Sequence, residues 1–333
     1  MASAMTTVPK LDKRTIEAAV ALACRAPSLH NSQPWRWVVD GNTLQLFADS
    51  DRLLPSTDAF GRQMVISCGA VLHHLSIAFA AAGWTTTIAR IPDASNPGHL
   101  ATVLVEPDHA ISDDDVKSAT AITRRSSDRL PLLAPPDPDV LATSLAALLA
   151  HTGTQIELID RGQRSELIHA SALAASLRGH DSMYQEELDW WAGESTLPEG
   201  VPTDSLVSAD EQERVALGRK FPPGRPNSRR VDLADDRAAI FVLSTPADAR
   251  LDWLRCGEAL SAVLLECTIR GLATCALTHL TELPRSREMI GKVARNTGAP
   301  QVVIRVGVAP EPGAERLTPR RPLSEVLFTK RNI

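Results

Sequence analysis

The sequence is poor in aromatic residues and has no excess of basic charge. Phenylalanine, tryptophan and tyrosine make up 4% of its 333 residues, so alanine, leucine and valine must fill the core. The formal net charge is -5, and the chain therefore lacks the overall positive field that nucleic-acid binding usually requires. We expect no nucleic-acid partner, and any cationic site must be local.

Cysteine is scarce too, and long uninterrupted apolar runs are missing. The five cysteines have no CxxC spacing and lie in apolar surroundings, which is typical of a reducing cytoplasm rather than of a disulfide framework. The longest apolar run, residues 69–84, is interrupted by His73 and His74 and is too short to cross a bilayer. The first residues lack the apolar core of a secretory signal. These features predict a cytoplasmic protein without a membrane partner.

Several motifs of common cofactor and catalytic sites are missing as well. The sequence has no GxGxxG after a strand pattern and no GxxxxGK[ST], which excludes a Rossmann fingerprint and a P-loop. It has no GxSxG nucleophile elbow. No histidines and cysteines have the spacing of zinc ligands, so we expect no metal.

The patterns that are present alternate between helix and strand and predict an α+β fold. Helices are expected at 15–25 and about 61–82, and Asp40-Gly41-Asn42 between "RWVVD" and "TLQLFAD" is a typical hairpin turn. A strand is expected at "LATVLVEP". A second unit begins near residue 113, so the predicted domains are residues 1–112 and 113–333.

The two longest helical patterns indicate an internal duplication. Shifting the sequence by 188 positions aligns Cys68 with Cys256 and Gly69 with Gly257, and the glycine that ends each helix, Gly83 or Gly271, falls at the same separation. Helices share apolar spacing in any case, so coincidence is the alternative interpretation. Two fused copies would imitate a homodimer inside one chain.

A tract rich in proline, glycine and charge, residues 193–230, interrupts the second unit. Loops of this length inside a compact domain are usually functional or disordered. A lid over a site and a loose insertion therefore both remain open at this point.

The stretch "RAPSLHNSQPW", residues 25–35, concentrates hydrogen-bonding side chains between two prolines. The prolines hold the backbone open, because each restricts its own φ and disfavours helix at the residue before it. One interpretation is a helix stop whose side chains satisfy their own turn. The other is a site that binds the polar edge of a flat heterocycle.

Three further segments are candidates for binding. "RRSSDR", residues 124–129, brings three arginines and two serines together and could bind a phosphate, although a solvated basic turn is the usual outcome. Arg320 and Arg321 lie between prolines in "TPRRPLSEV". Thr278 and His279 follow the second long helix, and a lone histidine is more often structural than catalytic.

Together these segments resemble FMN-dependent nitroreductases. "RAPSLHNSQPWRW" is similar to the APSxxNxQPW motif of that family, and "RRSSDR" resembles its Arg-x-Ser-x-Arg phosphate motif. Over nearly the whole chain the likeness is greatest to the Acg-type flavoproteins of mycobacteria, a dormancy-associated group in which two nitroreductase-like units are fused. The resemblance implies two units, with antiparallel or mixed sheets flanked by helices, that form an intramolecular pseudo-dimer.

In ordinary nitroreductases each FMN lies at the subunit interface. This sequence has the PSxxNxQPW segment only in the first unit and the Arg-x-Ser-x-Arg segment only in the second, which implies one FMN per chain. The resemblance places Thr278 and His279 near the flavin N5, although the family often has Pro-x-Glu-Gly there. The residues that it implies for cofactor binding are Ser28, Leu29, His30, Asn31, Ser32, Gln33, Arg125, Ser127, Arg129, Thr278, His279, Arg320 and Arg321.

The implied function is NAD(P)H-dependent reduction of a nitroaromatic, quinone-like or similar small aromatic acceptor. The flavin itself would carry the redox chemistry, so no catalytic acid–base pair is expected. The alternative is a flavin-sequestering protein whose 193–230 tract closes over FMN and leaves little or no reductase activity. Because the fusion supplies the dimer interface internally, we expect a monomer.

Overall fold

The structure is a computed structural model that describes residues 11–107, 109–192, 199–222, 224, 227–295, 298–310 and 318–330. Its first part contains two helices and four strands that together form one layer of sheet and one of helix. In chain order these elements are α1 (Lys13–Ala23), β1 (Trp35–Asp40), β2 (Thr43–Ala48), α2 (Arg62–Ala80), β3 (Trp84–Arg90) and β4 (His99–Pro107).

The second part repeats the alternation of helix and strand and contains extra helices before its long helix. Its elements are α3 (Asp113–Arg124), α4 (Pro138–Leu149), β5 (Gln155–Leu158), α5 (Arg164–Gly179), α6 (Ser182–Ala192), α7 (Ala209–Arg214), β6 (Ala239–Thr245), α8 (Arg250–Ile269), β7 (Ala273–Leu277), α9 (His279–Glu282), α10 (Pro284–Val293), β8 (Ala299–Gly307), α11 (Leu323–Val326) and β9 (Leu327–Thr329).

The first sheet has the strand order β3-β4-β2-β1-β9. The predicted hairpin is confirmed: β1 and β2 are antiparallel, and Asp40 pairs with Thr43 across a two-residue turn. The last strand, β9, pairs with β1 in parallel. The end of the chain therefore joins the sheet of the first unit, whereas the predicted boundary at residues 112 and 113 falls between β4 and α3.

The second sheet has the order β5-β6-β8-β7, and all its pairs are antiparallel. Strand β8 is buried along almost its whole length, as expected for a central strand whose two faces are both covered. The α+β fold with two sheets flanked by helices is thus confirmed. Each sheet has its own hydrophobic core.

The long helices α2 and α8 pack against each other between the two sheets. At their crossing Gly69 faces Gly257, and a Cβ added to either glycine would lie 2.8 Å from the Cα of the other. The two backbones can approach this closely only because neither residue has a side chain. Since the 188-position shift relates these glycines, the two units meet as a pseudo-dimer does, each presenting the same helix.

Among the described residues, α2 is also long and apolar enough to cross a membrane, with a mean hydropathy of 1.4 over its best window. The sequence analysis considered only the apolar run at residues 69–84, which is interrupted by His73 and His74 and too short to cross a bilayer, whereas the helix begins earlier, at Arg62. In the fold 72% of the window is buried inside the protein, where it packs on α1 and α8. This is the environment of a core helix.

Candidate active site

The segment between α1 and β1 has an unusual backbone. His30, Asn31 and Gln33 have φ angles of 48°, 57° and 50°, in the left-handed region that residues with a side chain seldom adopt. Such conformations cost about 1–3 kcal/mol each and persist only where surrounding contacts impose them. Their concentration in four residues indicates a functional segment.

Hydrogen bonds from within the first unit hold this segment in place. Ser28 Oγ accepts a hydrogen bond from the Gln33 N–H at 3.0 Å. Ser67 Oγ, on α2, accepts one from the Leu29 N–H at 3.2 Å and donates one to the Gln63 carbonyl at 2.7 Å. The segment is therefore fixed to the first turns of the long helix.

The C-terminal arginines clamp the same segment from the other side. The Arg321 N–H donates to Gln33 Oε1 at 2.9 Å, and its guanidinium donates to the Gln33 carbonyl at 3.1 Å. Arg320 donates from Nε to the Cys24 carbonyl at 2.9 Å and from Nη2 to the Arg25 carbonyl at 3.0 Å. These contacts explain how the strained backbone is maintained.

Two adjoining chambers lie at the seam between the units. The larger, here called the apolar chamber, holds about 980 Å³ of empty space, which includes the open solvent at its mouth. Its lining comes from both units and from the tract after residue 199: Pro27, Ser28, Leu29, His30, Gln63, Ile66, Ser67, Ala70, Ser127, Arg129, Val207, Gln212, Val215, Gly218, Arg219, Phe221, Leu260, Cys275, Ala276, Leu277, Thr278, His279 and Arg305.

The second, here called the cationic chamber, shares a wall with the first. Its lining residues are Pro27, Ser28, His30, Asn31, Arg125, Ser126, Ser127, Arg129, Gly200, Val201, Pro202, Ser205, Thr318 and Arg320. Of the described residues, no aspartate or glutamate lines either chamber. Guanidinium groups therefore meet here without lining carboxylates.

Arg125 is the least compensated of these charges. It is 9% exposed, and its Nε is buried without a hydrogen-bond partner among the described residues. Burial, together with repulsion from Arg25, lowers the pKa of Arg125 to about 10. Burial and repulsion from Arg125 and Arg25 likewise lower the pKa of Arg320 to about 9. A bound anion would relieve both costs.

The histidines of the apolar chamber are uncharged at neutral pH. Burial and the nearby Arg219 lower the pKa of His279 to about 3, and burial holds the pKa of His30 well below its usual range. His279 Nε2 lies 3.1 Å from Ser171 Oγ. In the described part of the chain neither ring nitrogen of His30, nor Nδ1 of His279, has a hydrogen-bond partner.

Similar proteins decide the family. No family model matches the chain. A Mycobacterium tuberculosis protein with the provisional name NAD(P)H nitroreductase acg is 46% identical over 319 residues, 95% of this chain and 96% of that protein. The chain belongs to the nitroreductase family. Another M. tuberculosis relative, also provisionally named an NAD(P)H nitroreductase, is 40% identical over 321 residues, 95% of this chain and 92% of its own length.

A solved structure of a family member from Mycobacterium smegmatis, an FMN-dependent nitroreductase in complex with NADPH, is also similar to this nitroreductase-family chain. Its sequence identity is 19%, the match covers 64% of this chain and 97% of that one, and the TM-score is 0.39.

In this member of the nitroreductase family, most of the residues predicted to bind the cofactor lie on the chamber walls. The apolar chamber takes Leu29, Thr278 and His279, and the cationic chamber takes Asn31, Arg125 and Arg320. Both chambers share Ser28, His30, Ser127 and Arg129. The structure thus brings together the two halves of the predicted site, about a hundred residues apart in sequence.

Four predicted residues have contacts other than those expected. Ser32, Gln33 and Arg321 line neither chamber. Gln33 and Arg321 are hydrogen-bonded to each other, and this contact supports the backbone of the segment that carries the lining residues. Asn31 lines the cationic chamber, and its side-chain N–H groups donate to the carbonyls of Gly200 and Pro319.

Sequence reasoning missed several wall residues. Gln63 and Ser67 come from α2, where nothing in the local sequence distinguishes them from ordinary helix positions. Arg305 comes from β8, where a single charge in the apolar run "QVVIRVGVAP" is a signal that could have identified it. Arg219 and Phe221 come from the 193–230 tract, whose composition indicated a functional loop but not which residues face the site. The described part of that tract lines both chambers.

One buried ion pair fixes the tract to the second unit. Arg219 pairs with Glu282, and their side chains are 7% and 1% exposed. The same guanidinium donates to Tyr184 Oη and, at 3.2 Å, to Thr278 Oγ1. Residues 199–222, here called the covering segment, are therefore hydrogen-bonded to Thr278, which lines the apolar chamber.

The pseudo-equivalent position on the opposite seam holds an ion pair. Under the 188-position shift Ala70 and Thr278, which line the apolar chamber, correspond to Glu258 and Arg90. These two charged residues form a bidentate ion pair, with both N–O distances at 2.8 Å. Long charged side chains thus occupy the place where the first seam is open.

Proposed function

We propose that this chain is an FMN-dependent oxidoreductase that holds one FMN at the seam of its two units. The observation that carries the proposal is the buried guanidinium of Arg125, which lacks a partner among the described residues and faces a chamber without lining carboxylates. A phosphate dianion would satisfy it by charge-assisted hydrogen bonds. The adjoining chamber is lined mainly by apolar surface, as sites for ring systems usually are.

The cationic chamber would hold the phosphate through the guanidinium groups of Arg125, Arg129 and Arg320 and the hydroxyl of Ser127. Arg320 already donates most of its hydrogen bonds to backbone carbonyls, so its contribution would be charge more than direct contact. Arg125 is the principal phosphate ligand in this arrangement.

The apolar chamber would hold the flavin ring. Ile66, Leu260 and Phe221 supply apolar surface, and neutral histidines supply polar contacts without adding charge. FMN, when bound, supplies the acceptance and return of a hydride, as is general for flavins. The protein orients the ring and, through the segment after residue 199, limits the access of water.

The proposed electron donor is NAD(P)H, and the proposed acceptor is a nitroaromatic or quinone-like molecule. Family membership supports this assignment. The test is to load purified protein with FMN and to follow the flavin absorbance after rapid mixing with NADH or NADPH, and then with a nitroaromatic or a quinone. We expect NADH or NADPH to lower the flavin absorbance and the acceptor to restore it. Protein that takes up no FMN would end the proposal.

A second candidate function is flavin sequestration. It is favoured by the covering segment, because Val207, Val215 and Phe221 face the apolar chamber and Arg219 is held by a buried ion pair. A closed cover would exclude a nicotinamide. Bound flavin that is reduced by dithionite but not by NADH or NADPH would support sequestration over turnover.

Two further properties complete the proposal. We infer a monomer, because the fusion supplies within one chain the interface that a dimeric flavoprotein needs between chains. We also infer a cytoplasmic location, because all five cysteines are buried and unpaired. Light scattering of the purified protein and fractionation of the producing cells test these two points.

A further inference from the structure

Gln63 is a buried polar side chain of the apolar chamber that the proposed function has not used. Gln63 is 2% exposed and lies at the start of α2. Its backbone is engaged: the N–H donates to Asp58 Oδ1 at 3.0 Å, and the carbonyl accepts from Ser67 Oγ at 2.7 Å. Its side-chain Nε2, by contrast, is buried without an acceptor in the described ranges.

An unsatisfied buried amide is costly, since it has lost its water and gained no partner. The structure offers no packing reason to keep it, because the neighbouring wall residues Ile66 and Ala70 are apolar. Gln63 also lines the same chamber as His30, whose two ring nitrogens lack described partners, and His279, whose Nδ1 lacks one. Three uncharged side chains, each with a polar atom that lacks a described partner, therefore line the apolar chamber.

These three groups carry no charge, so a ligand that satisfies them needs adjacent hydrogen-bond donors and acceptors. A carboxamide has one of each, side by side, and is complementary to an imide edge, in which an N–H lies between two carbonyls. The isoalloxazine ring of oxidised flavin has one edge of this kind and is otherwise largely apolar. Three arginines, Arg129, Arg219 and Arg305, also line this chamber, but the proposed function assigns the phosphate to the cationic chamber, which leaves the ring for the uncharged groups.

We propose that Gln63 is a specificity-determining residue that binds the imide edge of the flavin ring through its carboxamide, with the imidazoles of His30 and His279 beside it. The inference rests on the proposed function, since it assigns a contact to the same cofactor. It adds a residue that belongs to neither sequence motif. The protein then recognises its cofactor by the flavin ring as well as by the phosphate.

The test compares Gln63→Leu with Gln45→Leu. Gln45 is a half-buried glutamine on β2 that lines neither chamber. Dissociation constants are measured by quenching of flavin fluorescence for riboflavin and for riboflavin methylated at N3, neither of which has a phosphate. We expect Gln63→Leu to weaken riboflavin binding about tenfold and Gln45→Leu to leave it nearly unchanged.

Methylation at N3 identifies the atom involved. It should weaken the binding of riboflavin to the unaltered protein. It should reduce the affinity of Gln63→Leu little further, because that variant already lacks the contact between the carboxamide and the imide edge. Additive losses would overturn the assignment, as would an unchanged affinity of Gln63→Leu for riboflavin. Thermal unfolding of the apoprotein serves as the folding control, and Gln63→Leu should be at least as stable as the parent. If the unaltered protein bound neither FMN nor riboflavin, the proposed function itself would fail.

Discussion

His73 Nδ1 lies 2.8 Å from Ser261 Oγ, and the two residues are 188 positions apart. The same shift relates Gly69 to Gly257, which face each other one helical turn away. In a twofold dimer, residues near the axis meet their own copies. Here residues near the helix crossing meet their counterparts, so the axis of the pseudo-dimer passes between α2 and α8.

Gly257→Ala tests how tightly this axis is packed. An added Cβ would lie 2.0 Å from the Ile66 carbonyl oxygen, so the helices must separate, and we expect a loss of about 3 kcal/mol or more in the free energy of unfolding. Urea denaturation measures it. Gly162→Ala is the control, because nothing lies within 4 Å of its added Cβ. Similar midpoints for the two variants would contradict the packing.

His73 also predicts a pH dependence of stability. Burial lowers the pKa of His73 from 6.5 to about 4, so between these values the unfolded chain binds a proton that the folded protein does not. The free energy of unfolding is therefore unaffected by this group above pH 6.5. It decreases as the pH falls from 6.5 towards 4, by up to about 1.4 kcal/mol per pH unit.

His73→Gln should remove this share of the acid sensitivity. Urea midpoints measured from pH 7 to pH 4.5 should fall less steeply for His73→Gln than for the parent, whereas exposed His151→Gln should follow the parent. His279 is also buried, and its pKa is lowered to about 3, so some slope will remain. Parallel curves for His73→Gln and the parent would show that His73 does not govern the slope.

Periodicity predicted the elements whose pattern is local. Both long helices and the β1–β2 hairpin have a repeat that can be recognised within one segment. The sequence reasoning did not predict β3, β7 and β9. β3, β7 and β9 lie at sheet edges. Three-residue β9 forms only because β1 is beside it, and a partner far away in sequence cannot be inferred from local pattern.

The site was predictable where a motif carried it and unpredictable where tertiary structure did. The two motif segments supply eight of the fourteen residues that line the cationic chamber, including Arg125 and Arg129. Gln33 has a left-handed backbone, and its side chain accepts a hydrogen bond from the Arg321 N–H. No local residue pattern predicts this contact. Gln63 and Arg305 become wall residues only because a helix and a strand of different units meet at the seam.

Arg125→Ala should weaken FMN binding and spare riboflavin. Loss of a charge-assisted hydrogen bond to phosphate costs about 1.5–3 kcal/mol, which is roughly a 10- to 150-fold change in Kd. Arg124→Ala is the matched control, because Arg124 is the exposed neighbour in sequence. Fluorescence titration with both flavins measures the effect. Equal losses for FMN and riboflavin in Arg125→Ala would place the phosphate elsewhere.

The same variant should stabilise the apoprotein. Arg125 is buried beside like charges and has no ion-pair partner in the described part of the chain, so its removal relieves desolvation and repulsion. We expect the urea midpoint of apo Arg125→Ala to rise slightly, whereas that of Arg124→Ala stays within error of the parent. A lower midpoint would mean that Arg125 supports the fold itself.

The ion pair at the second seam predicts one flavin per chain. Glu258 and Arg90 lie at the pseudo-equivalent position, and shortening one of them would leave the other charge unpaired rather than create a flavin site. Titration of a known protein concentration with FMN should therefore saturate at one equivalent, for the parent and for Glu258→Ala alike. Two equivalents in the parent would show that the ion pair does not exclude a second flavin.

Arg219→Met should distinguish a reductase from a flavin store. Removing the guanidinium leaves the buried Glu282 carboxylate unpaired, which costs about 3–5 kcal/mol and should release the segment that covers the apolar chamber. Proteolysis within residues 199–222 should accelerate, and Lys220→Met, at an exposed neighbour, should not change it. If the cover blocks NADPH, reduction of bound FMN in stopped flow should be much faster in Arg219→Met than in the parent. Equal, fast rates would instead show that the parent already admits the nicotinamide, as a working reductase must.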